Sequence, residues 1–312
     1  MKKCNAEETK NTESTEKKKR RVTTRFSFAA RAVVLLCVAV FVVSVPSIPQ
    51  KAEPRSYLGF DRNDYPGDDA LHILRKTFSF TGYWLSPPPG EKTNTWAGKR
   101  ELLRSQGFGF LILYRGPASV DLERVKDPEL AGKVDARAAA EAAEREGFSR
   151  GAIIFLDIEE GGRLSPLYHA YIHGWFSYLL ATYERAYEVG FYCSGIPVKE
   201  DARTTITTAE DIFSHLSQES DAFIIWAFND TCPPSPGCAF PQNPPSPAAS
   251  GISYALVWQF AQSPCRKERT AYCPAKYPPD GNCYAPGDAA HTWFLDVDVA
   301  SSADPSGGAR SN

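Results

Sequence analysis

The sequence has no glycine-rich phosphate loop after an early strand, no paired C-x2-C spacing, no H-E-x-x-H motif and only 5 histidines. The first absence argues against a doubly wound dinucleotide-binding sheet. The second argues against a zinc site built from the loop cysteines, and the last two against a zincin or a histidine-rich metal phosphodiesterase. Gly161-Gly162 follows a strand-like run but lacks the rest of a phosphate-binding fingerprint. His169 and His173, spaced i, i+4 without an adjoining Glu, are expected to form an exposed or interhelical pair rather than a metal site. No metal and no other cofactor is expected.

Positive charge is also scarce past residue 55. Residues 1–55 hold 12 Lys and Arg against 5 Asp and Glu, whereas the rest of the chain holds 23 against 32. An acidic main body excludes nucleic acid as the expected partner, because phosphate binding needs a basic surface. A membrane-spanning run of about 20 apolar residues is missing as well. The longest apolar run, Ala32–Val45, has 14 residues and follows Lys17, Lys18, Lys19, Arg20, Arg21, Arg25 and Arg31. Basic residues before a run of this length predict a secretory signal peptide or a signal anchor. Phe26–Ala30 would extend the run if Arg31 snorkelled to the interface. The protein is therefore expected to be exported and secreted, periplasmic or anchored, meeting the membrane only through this segment.

Cysteine usage agrees with export. Beyond Cys4 and Cys37 six remain, and Cys232, Cys238, Cys265, Cys273 and Cys283 lie in two Pro-rich stretches where disulfides would restrain loops lacking a core. Six cysteines allow fifteen pairings, so connectivity is open. Cys193, in a strand-like run, is expected to be a buried thiol.

From Tyr57 onward, short β-rich runs alternate with helical ones. Eight strands are predicted: 57–61, 79–85, 108–114, 152–158, 189–193, 222–228, 254–260 and 292–297. AIIFLDI at 152–158 is apolar until its acidic end, as suits a parallel strand covered on both faces. Helices are predicted over 68–76, 95–106, 129–146, 166–184 and 209–218, with Gly107 and Gly147 as C-terminal stops. Residues 229–253 hold seven prolines and two cysteines and read as a long loop in place of a helix. The fold expected for residues 56–300 is α/β, a (β/α)8 TIM-type barrel with some late helices replaced by Pro/Cys-rich loops. Residues 301–312, rich in Ser and Gly, are expected to be a disordered tail.

In such a barrel the site lies at the C-terminal ends of the strands. Asp61 ends the first predicted strand, Asp157 and Glu159 the fourth, Asp296 and Asp298 the eighth. Asp157 and Glu159, two apart, share a face. Repulsion and partial burial should raise one pKa and leave a proton donor beside a charged partner, the division of labour that glycosidic cleavage needs. Tyr83, Trp84, Tyr114, Tyr192 and Trp226 lie on or near strands, with Tyr192 and Trp226 closest to the ends, where aromatic faces stack on sugars. Arg115 is expected to serve a neighbouring carboxylate or an acidic sugar group.

Gly59-Phe60-Asp61, Asp157-Ile158-Glu159, Trp258-Gln259-Phe260 and Leu295-Asp296-Val297-Asp298-Val299 occur in the order of the strand-end motifs of the family 25 glycoside hydrolases, which are lysozyme-like muramidases. The pattern more closely resembles the glycoside hydrolase-like domain of exported mycobacterial cell-wall proteins, over Tyr57 to Val299. The resemblance implies Glu159 as general acid and Asp157 as the carboxylate assisting the substrate's N-acetyl group. It implies Asp61 and Asp296 tuning the site and holding sugar hydroxyls, Trp258 as an aromatic platform and Gln259 as strand-end support. Asp298 and Phe260 stand where the family has Asn and Tyr, and Asp298 is expected among the substrate contacts. The expected partner is peptidoglycan or a related envelope polysaccharide, cleaved by a glycosidase. The alternative reading is a catalytically silent barrel that binds such a glycan, and a metal-dependent phosphodiesterase is a third.

Overall fold

The computed structural model describes residues 55–181, 186–218, 220 and 222–310. The basic N-terminal segment and its apolar run lie outside these residues, so the expected signal or anchor does too. Among the described residues no helix is long and apolar enough to cross a membrane.

Eight strands close into a barrel: β1 (Tyr57–Asp61), β2 (Phe80–Trp84), β3 (Gly109–Arg115), β4 (Ala152–Asp157), β5 (Tyr187–Ser194), β6 (Phe223–Phe228), β7 (Ala255–Ala261) and β8 (Phe294–Ala300). They pair in chain order and β8 returns to β1, so the sheet has no open edge in the ring. β1 to β7 run parallel. β8 runs antiparallel to both β7 and β1, which corrects the expectation of eight parallel strands. The reason is local. The chain leaves β7 at the mouth, and residues 262–293 return it to the mouth before β8 begins.

The helices are α1 (Leu71–Leu74), α2 (Arg100–Ser105), α3 (Ser119–Leu122), α4 (Pro128–Arg145), α5 (Pro166–Ala181), α6 (Thr208–Leu216) and α7 (Lys267–Thr270). α4 starts at a proline whose missing N–H would have been an orphan, and the Asp127 side chain accepts from Leu130 N at 3.0 Å. Its stripe of Ala136, Ala139 and Ala143 is buried against the barrel and ends at Gly147, φ 79°. α6 carries a capping box in which Thr207 and Glu210 satisfy each other's backbone N–H. His169 joins α5 to α6: it lies 2.7 Å from Asp211 and stacks on His215 at 4.3 Å, the interhelical role expected of it.

After β6 a loop replaces a helix, as predicted, and covers the outside of β7. It is stapled by two disulfides, Cys232–Cys273 and Cys238–Cys283, which both tie this loop to the one after β7. Cys193 is a buried thiol, as expected, and Cys265 is also free.

Residues 301–310 are not the disordered tail expected from their composition. They run beneath the barrel and fill the gap where β3 and β4 splay. There Ser306 Oγ accepts from Ile112 N, Ser306 N donates to Phe110 O, and Ile153 N donates to Ser306 O. Asp304 Oδ1 accepts from Phe110 N, and buried Arg100 donates to the carbonyls of Gly308 and Arg310, at 2.9 Å each. Small residues are what this gap admits: a Cβ on Gly109 would lie 2.1 Å from Ala303 O.

Candidate active site

Pairing of β1 with β8 sets Asp61 opposite Asp296, so acids 235 positions apart in the chain share one wall. The reversed strand decides the depths. Asp296, near the start of β8, lies at the mouth, while Asp298 lies two residues deeper and is fully buried. Asp157 ends β4 and is 3% exposed. Glu159, past the strand end, stands exposed on the rim. Gly82 makes room on the adjacent β2: a Cβ there would lie 2.7 Å from the Cβ of Asp61.

Asp61, Asp157, Glu159 and Asp296 line one cavity of about 280 Å³, together with Tyr192, Trp226 and Gln259. A hydrogen-bond chain runs across its floor. Tyr192 OH donates to Gln259 Oε1 at 2.8 Å, and Gln259 Nε2 donates to Asp61 Oδ2 at 2.7 Å. Asp61 in turn is hydrogen-bonded to Asp298, whose Oδ1 accepts from Trp226 Nε1 at 3.1 Å. Two carboxyls can bond only if one keeps a proton. Burial, and then the charge of Asp61, hold Asp298 well above the usual carboxylate range, so Asp298 is the donor. Its other oxygen, Oδ2, meets no N–H or hydroxyl donor in the protein.

Asp61, Asp157, Asp296 and Glu159 are shifted upward as well. Burial raises Asp61 to about 6 even though its bonds with Asp298 and Gln259 oppose the shift. Burial and then the charges of Glu159 and Asp61 raise Asp157 well above its ordinary value, with Arg115 opposing. Asp296 is pushed well up by burial and by Asp61, against the Ser263 N–H that it accepts at 2.6 Å. Glu159 is raised by the protein around its carboxyl, with Arg266 opposing. Together these groups hold protons at a pH where free carboxylates would be ionised, beside others that can release them.

Two expected substrate contacts lie elsewhere. Trp258 is fully buried on the outward face of β7, where its Nε1 donates to Asn229 O at 2.8 Å beneath the stapled loop. Side chains alternate along a strand, so once Gln259 faces inward Trp258 faces outward. Asp298 sits under the floor, bonded to Asp61 and Trp226, and supports the site without lining it. Sequence reasoning missed Phe294, an aromatic 47% exposed on the cavity wall, with the Arg62 guanidinium 5.1 Å from its ring centre. Its position two residues before Asp296 was the available signal. Among the described residues no group of three or more His, Cys, Asp or Glu side chains is arranged to hold a metal ion.

Comparison with known proteins bears on the same barrel. A B. stearothermophilus protein of known crystal structure superposes with a TM-score of 0.52 at 23% identity, over 78% of this chain and 95% of that one, and shares the fold. The Tat-secreted protein Rv2525c of Mycobacterium tuberculosis gives a TM-score of 0.43 at 14% identity, over 79% of this chain and 94% of that one. The modular autolysin LytC of Streptococcus pneumoniae, solved with a synthetic peptidoglycan ligand, gives 0.45 at 13%, over 78% of this chain and 46% of that one. No curated protein matches the sequence. The profile described as "Rv2525c-like, glycoside hydrolase-like domain" matches residues 78–234, half of the chain, and the protein belongs to that family.

Proposed function

We propose that the protein is an exported glycosidase acting on peptidoglycan or a related envelope polysaccharide, with Glu159 as general acid and Asp157 as assisting carboxylate. The observation that carries this reading is the placement of an exposed Glu159 and a nearly buried Asp157, both with pKa values raised from the ordinary carboxylate range, on one open cavity. Glu159 gives its proton to the leaving glycosidic oxygen as the bond to the anomeric carbon breaks. The substrate's own acetamido oxygen closes on that carbon, and Asp157 holds the amide N–H and the positive charge that develops there. Water then opens the ring, returning a proton to Glu159. Asp61 and Asp296 hold sugar hydroxyls, and Tyr192, Trp226 and Gln259 form the floor beneath the sugar. The loop disulfides support an oxidising, extracytoplasmic setting, and the basic, apolar N-terminal segment supports export, with or without retention at the membrane.

Incubation with purified cell walls should release new reducing ends. Glu159→Gln should lower the rate by roughly 10²- to 10⁴-fold, the usual worth of a general acid. Undiminished activity in that variant would remove Glu159 from the role. One observation favours a second reading, a barrel that binds glycans without cleaving them: Asp157 is only 3% exposed. That reading requires saturable glycan binding without turnover, and affinity indifferent to Glu159→Gln.

A further inference from the structure

The rim beyond Glu159 opens into a second cleft of about 320 Å³, lined among others by Glu159, Tyr192, Gln262, Arg266, Glu268 and Arg269. The first three also line the acidic cavity, so the two spaces are halves of one groove that meet at Glu159. Their charges differ. The first half carries Asp61, Asp64, Glu91, Asp157 and Asp296 against Arg62 alone. The second carries two arginines against Glu268 and the shared Glu159.

The two arginines do different work. Arg269 is neutralised by fully buried Asp230, 3.1 Å away, and lies over the Phe228 ring at 4.9 Å. Its carbonyl accepts from Cys232 N at 3.0 Å, beside the disulfide to Cys273. Arg269 therefore fixes the turn of α7 against the rim. Arg266, which opens that turn, is exposed and makes no ion pair or side-chain hydrogen bond with any described residue, Glu268 included. The result is an unpaired guanidinium held on a stapled turn, on the far side of the acid from the carboxylate cavity. Its planar fork suits a carboxylate in two-point contact.

We infer that this second cleft is an anion subsite, in which Arg266 receives a carboxylate borne by the sugar on that side of the bond facing Glu159. The inference rests on the glycan reading above and adds a substrate class to it, acidic rather than neutral glycans. Arg266 acts here as a specificity-determining residue.

Wall glycan oligosaccharides stripped of peptide, with their lactyl carboxylates either free or converted to primary amides, provide two probes that differ only in charge. The ratio of kcat/KM on the free form to that on the amide, measured with the whole protein, cancels any change in Glu159 itself. Wild type should favour the free form roughly 3- to 10-fold, less as salt is raised. Arg266→Gln should bring the ratio near one, and Arg266→Lys should retain part of it. A ratio unchanged in Arg266→Gln overturns the subsite. If neither probe is turned over, the ratio of their Kd values by calorimetry is read in the same way. Binding of both forms without discrimination sinks the subsite alone, whereas binding of neither sinks the glycan reading and the subsite with it.

Discussion

Asp61→Asn should make the protein more stable at neutral pH while weakening its chemistry. Asp61 is 7% exposed and its pKa lies at about 6, against 3.8 for a free side chain. A carboxyl whose folded pKa is raised stabilises the fold below the unfolded value and loses that contribution as pH climbs through the folded value. For Asp61 the window is from 3.8 to about 6. The shift is roughly two units at about 1.4 kcal/mol each, so about 3 kcal/mol is lost between pH 4 and pH 7. Asn removes the titration. Its Oδ1 still accepts from Gln259 Nε2, and its amide can donate to Asp298. Urea unfolding of wild type and variant at half-unit steps from pH 4 to 8 would give the difference profile. That difference should grow by about 3 kcal/mol across the window in favour of Asn, equivalent to roughly 6–12 °C in Tm for a domain of this size. Hydrolysis should fall, because the cavity loses a charged wall. A profile flat to within about 1 kcal/mol would refute the reasoning, showing that Asp61 is solvated or already neutral.

Asp298→Asn should fold normally and gain stability above pH 7 but not at pH 4. An amide can donate to Asp61 without retaining a proton, and Tm at the two pH values checks this. Gly82→Ala should reduce kcat/KM more than it reduces Tm, since the new methyl meets Asp61 at 2.7 Å and displaces it. Asp304→Ala should cost about 1–3 kcal/mol in urea unfolding, because the N–H groups of Phe110, Gly308 and Ala309 all lose their acceptor. An unaffected midpoint would mean that the C-terminal residues are dispensable.

Strand positions were legible because buried strands announce themselves as apolar runs. 152–158 and 222–228 were placed to within a residue or so of their observed limits. Direction was not legible. Alternation of Leu295, Val297 and Val299 with Asp296 and Asp298 reads identically either way along the strand, so the sequence could place these acids near the barrel's end but not order them by depth. For Trp258 the signal was present: Gln259 and its neighbour cannot both face inward, and resemblance outweighed the alternation. The C-terminal residues misled in another way. Their Ser and Gly content resembles a solvated tail, yet small side chains are also what a narrow gap between strands accepts. The glycine stops at Gly107 and Gly147 are the reverse case, local chemistry sufficient to fix an element's end.

The reversed β8 has a consequence for how the protein can be held. Tyr57, the first residue of the ring, pairs with Ala300, the last, at the end remote from the acids. A last strand parallel to the other seven would end beside the acids instead. Here Tyr57 and Ala300 both stand at the opposite end, so a tether or tag joined at either one starts from the side away from the acid-lined mouth.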